Sequence, residues 1–425
     1  MISLLWRTYA LTVFAIFFSV ADQPLGHYGV LPISPTLAAI IALLPFPLAA
    51  TLREPFNNPL RYLIEPIRGN APALLSFAAI ASFSLLLSIL PGAVWDEDGK
   101  WILLITYGFA LTILALFVPG IAVVQRIIPM CIITALALLL WSLQEDLAVP
   151  GTYSLETARA AGFPGNANFA ALVSVMLCAA GLDMYRRRAL WIDLLILALS
   201  GVMVVGTMSR SGLINFLFLL GIYLYFRLLH GGFRAREVIR LTLGFSLLVS
   251  ALITILPIFA GGLAGLQQQT RLERFLNNKR VDDGSAASRF EAVKDSLRRI
   301  DRAPLLGSGT GHSRSMPELP HNLYLQQWVN NGVPGLLSFI ALLVVSYLTF
   351  TRRGCRNGQA FIIVTAVGAA FSHNILDQRP FLMLLGILLE GSRLRLGSGG
   401  VNLFSTGHKR LRSSKACQCP DMAQK

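Results

Sequence analysis

Apolar runs of roughly 20 residues, the length a helix needs to cross a bilayer, recur along this chain with short polar breaks between them. The pattern predicts helices near 2–21, 31–51, 71–91, 101–119, 123–142, 167–184, 189–208, 212–229, 241–261, 333–351, 359–376 and 380–394. The expected fold is all-α: a polytopic membrane protein of about twelve transmembrane helices. Residues 1–261 would hold nine spans, 262–332 one long external loop, 333–394 three more spans, and 395–425 a basic disordered tail. The first apolar run is too long for a cleaved signal, and Ser19-Val20-Ala21-Asp22 is a poor cleavage site, so it reads as an anchor.

Composition narrows the class. Only 14% of residues are charged, 54% are hydrophobic and the mean hydropathy is +0.62. A soluble domain carries nearly twice that charge. The net charge of +14 resides largely in the Gly/Ser-rich tail, which suits anionic membrane lipids, and in the long loop. No nucleic-acid module accompanies it.

Orientation follows from the short loops, because Lys and Arg are retained on the cytoplasmic side. Arg53, Arg61 and Arg68 share one loop, Arg186–Arg188 another, Arg234, Arg236 and Arg240 a third, and Arg352, Arg353 and Arg356 a fourth. All four fall on one side of the predicted helices. Both termini are then cytoplasmic and the loop from about Gly262 to Gln327 is outside. Its ten Lys/Arg do not oppose this, since long loops translocate largely regardless of charge. Cys131 and Cys178 lie in spans, and Cys355, Cys417 and Cys419 on the cytoplasmic side, so no disulfide framework is expected. The Cys417-x-Cys419 pair has no further ligands beside it and reads as tail composition.

The long loop carries a predicted helix in which Phe290, Val293, Leu297 and Ile300 recur at helical spacing, ended by Ala303-Pro304. Gly307-Ser-Gly-Thr-Gly311 follows. It reads as a hinge rather than a phosphate loop, having no strand before it and no Lys-Ser/Thr after it. Pro320 suits a first helical turn, which places His321 in that turn, where the positive helix end favours a neutral imidazole. Gly332 and Pro334-Gly335 should break the helix before the next span. From the residues alone, His321 reads equally as a base at the membrane surface and as part of an interfacial helix cap.

Three other polar blocks fall at predicted outer span ends: Gly162–Phe169, with Asn166 and Asn168; the short turn Thr207–Gly212, with Arg210; and His373-Asn374 with Asp377 and Arg379. Arg210 sits where a planar guanidinium can grip a diphosphate bidentately, against the ordinary reading of a snorkelling arginine. Arg289, on the loop helix, is a second such candidate against a solvated-face reading.

Ser209-Arg210-Ser211-Gly212, Ser288-Arg289-Phe290 with Pro304–Gly309, and His321-Asn322 with ten residues before Gly332 resemble, in this order, three signature blocks of the O-antigen ligase superfamily. Asn166-Ala167-Asn168 resembles a weaker fourth. Val293 departs from the pattern, which has leucine there. The resemblance implies a GT-C-like glycosyltransferase of the bacterial inner membrane with its active site on the periplasmic face. The donor would be an undecaprenyl-diphosphate-linked glycan and the acceptor the lipid A-core oligosaccharide. His321 would be the general base, with Arg210, Arg289, Asn322, Asn166 and Asn168 binding substrate, and neither metal nor cofactor would be required. A polymerase of the same superfamily is the nearest alternative. A transporter is disfavoured because the predicted span centres are nearly uncharged.

Overall fold

The computed structural model describes residues 2–27, 33–52, 59–88, 95–149, 151–153, 160–184, 190–228, 239, 284–317 and 319–397. These form helices α1 (Ile2–Phe18), α2 (Asp22–His27), α3 (Pro35–Leu43), α4 (Pro45–Leu52), α5 (Pro59–Gly69), α6 (Ala71–Leu87), α7 (Trp95–Ala115), α8 (Ala122–Ala148), α9 (Ala167–Gly181), α10 (Leu190–Gly206), α11 (Arg210–Leu228), α12 (Gly284–Arg302), α13 (Leu323–Arg352), α14 (Arg356–Ala369) and α15 (Arg379–Gly397). No strand occurs among the described residues. The all-α expectation is met. The predicted ninth span, at 241–261, and the tail beyond Gly397 lie outside the described residues.

Among the described residues three segments, Ile102–Gly120, Ala122–Ala148 and Leu323–Arg352, are each long and apolar enough to cross a membrane. The pair Leu60–Gly69 and Ala71–Leu87 makes a fourth if taken together, although it bends by 79°. The predicted second span is divided at Leu44, because Pro45 and Pro47 lack the N–H groups that would continue the α3 ladder. The arginine loop before the third span is itself an amphipathic helix, α5, with Leu60 and Ile64 exposed.

The pole of the bundle is α9, in which every residue from Phe169 to Gly181 is buried. A helix that is apolar all round must be enclosed, and α8, α10, α11, α14 and α15 enclose this one. Polar groups gather at the bundle's two ends. At one end Arg353 donates to the carbonyls of Gly69 and Leu389, both at 2.6 Å, and Arg356 donates to that of Met184 at 3.0 Å. The Tyr223 hydroxyl donates to buried Asp193 at 2.9 Å, and Arg227 lies 3.4 Å from the same carboxylate. Buried Glu390 accepts from Asn70 at 2.9 Å and from Arg393 at 2.7 Å. Arg353 and Arg356, of one short arginine loop, thus bond beside the loops that carry Arg68 and Arg186–Arg188.

The other end is organised by a kink. Helical geometry holds along α13 on both sides of Gly332, but Gly332 itself adopts φ 62° and ψ −159°, so the helix breaks where the sequence predicts and two helical segments meet at a kink. The segment after α12 fills that bend. Ser308 N–H donates to the Val329 carbonyl at 2.7 Å, Gly309 N–H to Asn330 at 3.1 Å, and Val333 N–H to Leu305 at 3.2 Å. Ser313 N–H donates to the Asn330 side chain at 2.8 Å. The stretch read from sequence as a hinge is instead a buried strap, because its backbone groups replace the ladder bonds that the kink frees. The Asn331 amide also ties this strap to α6, donating to Ser84 Oγ at 3.1 Å.

Gly307, at φ 73°, permits the close approach: an added Cβ would lie 2.5 Å from Gly332 N and 2.6 Å from Asn330 O. Gly307→Ala should therefore cost more than about 1 kcal/mol. A lower thermal midpoint and a new protease-sensitive site within 303–317 are expected, whereas Gly151→Ala, with open space around its Cβ but also a positive φ, should lose stability through backbone strain alone.

Candidate functional site

The end of the bundle that carries the kink also carries the sequence-predicted site residues. Asn166 caps α9: its side-chain oxygen accepts from Asn168 N–H at 3.0 Å and Phe169 N–H at 3.2 Å. The Asn168 carboxamide oxygen accepts from Ser209 Oγ at 2.9 Å, and Ser209 Oγ in turn accepts from Gly212 N–H at 3.1 Å. The asparagine block and the Ser-Arg block are thus one hydrogen-bonded unit. Between them Met208 takes φ 51°, a left-handed conformation uncommon for a side chain of its size, at the tight turn between α10 and α11. Arg210 is the first residue of α11 and is exposed. Buried Asp146 supports this unit from α8, accepting from Ala161 N–H at 2.8 Å and Gly162 N–H at 3.2 Å.

The second unit surrounds His321. Asn322 is the N-cap of α13, its side-chain oxygen accepting from Tyr324 N–H at 2.9 Å and Leu325 N–H at 3.2 Å. His321 consequently stands just ahead of the cap, outside the first helical turn where the sequence placed it. A capping asparagine is a better helix start than Pro320 two residues earlier, because it satisfies two of the free N–H groups. The His321 ring meets His373 edge to face, with centroids 5.3 Å apart.

His373 lies in the turn after α14, and its Nδ1 is buried with no hydrogen-bond partner among the described residues. Burial lowers its pKa to about 4, and the charges of His321 and Arg314 act in the same direction, so His373 is neutral near pH 7. Asp377, in the following turn, is raised to about 7 by burial, against the opposing pull of Arg314 and Arg379. The start of α15 is fixed in turn by Arg379, which donates to buried Asp22 at 3.2 Å.

The two units are anchored to one turn of α14. Asn215, five residues into α11 from Arg210, donates to the Val364 carbonyl at 3.1 Å. Tyr324, three residues beyond His321, donates to that of Ala366 at 2.9 Å. At about 1.5 Å rise per helical residue, Arg210 lies roughly 7 Å along its helix from its anchor. Arg210 and His321 therefore open onto the same end of the bundle. Arg289 is half-buried on α12, which packs against α13. His312, read as part of a flexible stretch, sits in a short 3₁₀ turn and contacts Arg299.

The sequence pattern marks the His373–Arg379 block without giving it a role, and it does not mark Arg314. The signal for His373 was a histidine at an outer span end. Arg314 offered none, because only the folding of the strap places it by His373.

The N-terminus of α11 faces this end with exposed Arg210 as its first residue, so its first-turn N–H groups and the guanidinium lie together. Such a surface is suited to an anion, and an imidazole beside it is suited to taking a proton.

Residues 195–340 match the model of a family described as O-antigen ligase. That span holds Ser209–Gly212, Ser288–Arg289 and His321–Gly332, the three blocks whose resemblance was read from sequence. Asn166, Asn168, His373 and Asp377 lie outside it. No curated protein matches the chain.

Asn322 allows its structural and binding parts to be separated. Asn322→Asp keeps an acceptor for the two N–H groups and should retain stability, whereas Asn322→Ala should lose about 1 kcal/mol. Thermal unfolding of the two variants checks the cap. Loss of activity in the stable aspartate variant would identify the amide Nδ2 as a substrate contact.

Proposed function

We propose that this chain, which carries the O-antigen ligase family domain over residues 195–340, transfers a glycan from undecaprenyl diphosphate to the lipid A-core oligosaccharide. It would do so on the periplasmic face of the bacterial inner membrane, in a GT-C-like bundle of about twelve spans. The observation that carries the reading is the position of His321. It stands at the mouth of α13, beside neutral His373, at the bundle end where the Arg210 turn also opens.

In this reading an acceptor hydroxyl attacks the anomeric carbon of the donor while His321 takes the hydroxyl proton. The new glycosidic bond forms as the bond from that carbon to the diphosphate oxygen breaks. Arg210 and Arg289 hold the diphosphate, and their guanidinium groups meet the charge that builds on the leaving oxygens. His373, held neutral by burial, adds no positive charge that would oppose proton uptake at His321. Asn166 and Asn168 act by fixing the Arg210 turn, since their carboxamide oxygens are engaged within the protein. The buried pair Asp193–Arg227 and the carboxylate Glu390 lie at the opposite end, next to short-loop arginines, rather than midway along a transport path.

Sidedness is tested by thiol labelling of single cysteines placed at two exposed arginines. Arg302→Cys should label in intact spheroplasts, and Arg352→Cys only after permeabilisation. The reverse pattern would put the site in the cytoplasm and remove the proposal.

The reaction is tested with purified protein, a lipid-linked glycan donor and either lipid A-core or a second lipid-linked glycan as acceptor. Transfer to lipid A-core supports a ligase; chain extension alone would make the protein a polymerase. His321→Ala should reduce transfer by about 10²–10⁴-fold at matched protein levels, the range of a lost general base. Wild-type transfer by that variant would exclude His321 from the chemistry.

A further inference from the structure

Helix α12 presents an apolar edge to the outside. Phe290, Val293, Leu297 and Ile300 recur at helical spacing, but only Ile300 is buried, at 5% exposure. The face turned into the protein is Ala292, Ser296 and Ile300, four residues apart. Phe290 and Leu297 are 69% and 47% exposed, and Leu305, beyond the helix end, is 70% exposed. Isolated exposed apolar side chains are ordinary; a strip of them calls for an occupant.

Two observations identify it. The Leu305 carbonyl accepts from Val333 N–H, so the strip ends against α13. One turn further on, Leu337 is 57% exposed, and the exposed Ile340 and Val344 continue its face. This segment of α13 is long and apolar enough to cross a membrane. The strip is therefore continuous with a surface that hydrocarbon would bathe. The second observation is charge. The exposed flank of α12 beside the strip carries Lys294, Arg298 and Arg302 together with Glu291, which pairs with Lys294 at 3.8 Å, and Asp301, and the helix as a whole has five Lys/Arg against three Asp/Glu. An apolar edge bordered by cations is the pattern of a helix lying in a lipid headgroup layer.

We propose that α12 is seated in the surface of the bilayer itself, with Phe290, Leu297 and Leu305 in the acyl boundary and its cations at the lipid phosphates. Arg289, adjoining Phe290, is thereby held at phosphate height by the membrane as well as by the protein. The placement follows from surface chemistry and does not depend on the transfer reaction.

The test uses the full-length chain, one copy per lipid nanodisc of phosphatidylcholine and phosphatidylglycerol, with Cys417 and Cys419 replaced by serine. Leu297→Cys and Arg298→Cys each carry an environment-sensitive fluorophore, and lipids with a doxyl quencher high on the acyl chain report contact. Quenching at position 297 should exceed that at 298 several-fold, with blue-shifted emission. Equal quenching at both positions, or none at either, overturns the proposal. Blue-shifted emission at 297 without lipid quenching also overturns it, since protein rather than lipid would then cover the strip. Leu297→Trp with brominated lipid repeats the reading without a label: quenching beyond that of the unsubstituted chain supports the placement, and its absence overturns it.

Discussion

The end of the bundle that carries His321 depends on one close backbone approach, that of Gly307 to Gly332. The kink in α13 would leave peptide groups without partners in a place from which water is largely excluded. The strap that follows α12 supplies those partners, through Ser308, Gly309 and Leu305. In doing so it fixes the mouth of α13, where His321 stands. It also brings Arg314 within electrostatic reach of His373 and Asp377. A side chain on either glycine would hold the two backbones apart, so the site is built on the absence of two Cβ atoms.

Enclosure of α9 supplies the second constraint. Its neighbours pack around it from Phe169 to Gly181, so their ends are held level, and the polar residues at those ends are brought into register. Hydrogen bonds from Asn215 and Tyr324 to neighbouring carbonyls of α14 complete this registration. The Arg210 turn and the His321 segment are 111 positions apart in sequence, yet they are referred to one turn of one helix. A base and an anion-binding group on separate helices can cooperate only if that reference is rigid.

The two polar ends differ in kind. At one, Arg227, Arg353, Arg356 and Arg393 are consumed by carbonyls and buried carboxylates that stitch the helices together. At the other, beside the Arg379–Asp22 pair, burial shifts the protonation of His373 and Asp377. The first arrangement holds shape, and the second is suited to chemistry.

The sequence by itself determined the all-α class, because runs of apolar residues with few charges have no other way to satisfy their backbone in lipid. It also determined which residues share an end of the bundle, since alternating helix direction follows from chain order, and it marked His321, Arg210 and Arg289 through three spaced blocks. The tertiary structure decided matters that turn on distant partners. Pairing with the α13 kink made Gly307–Gly311 a strap instead of a hinge. Competition between two possible helix starts gave the cap to Asn322 and moved His321 outside the first turn. Packing against α13 buried Ala292 and Ser296 and left Phe290 and Leu297 facing outward, because helical spacing defines an apolar stripe but not the surface that will cover it.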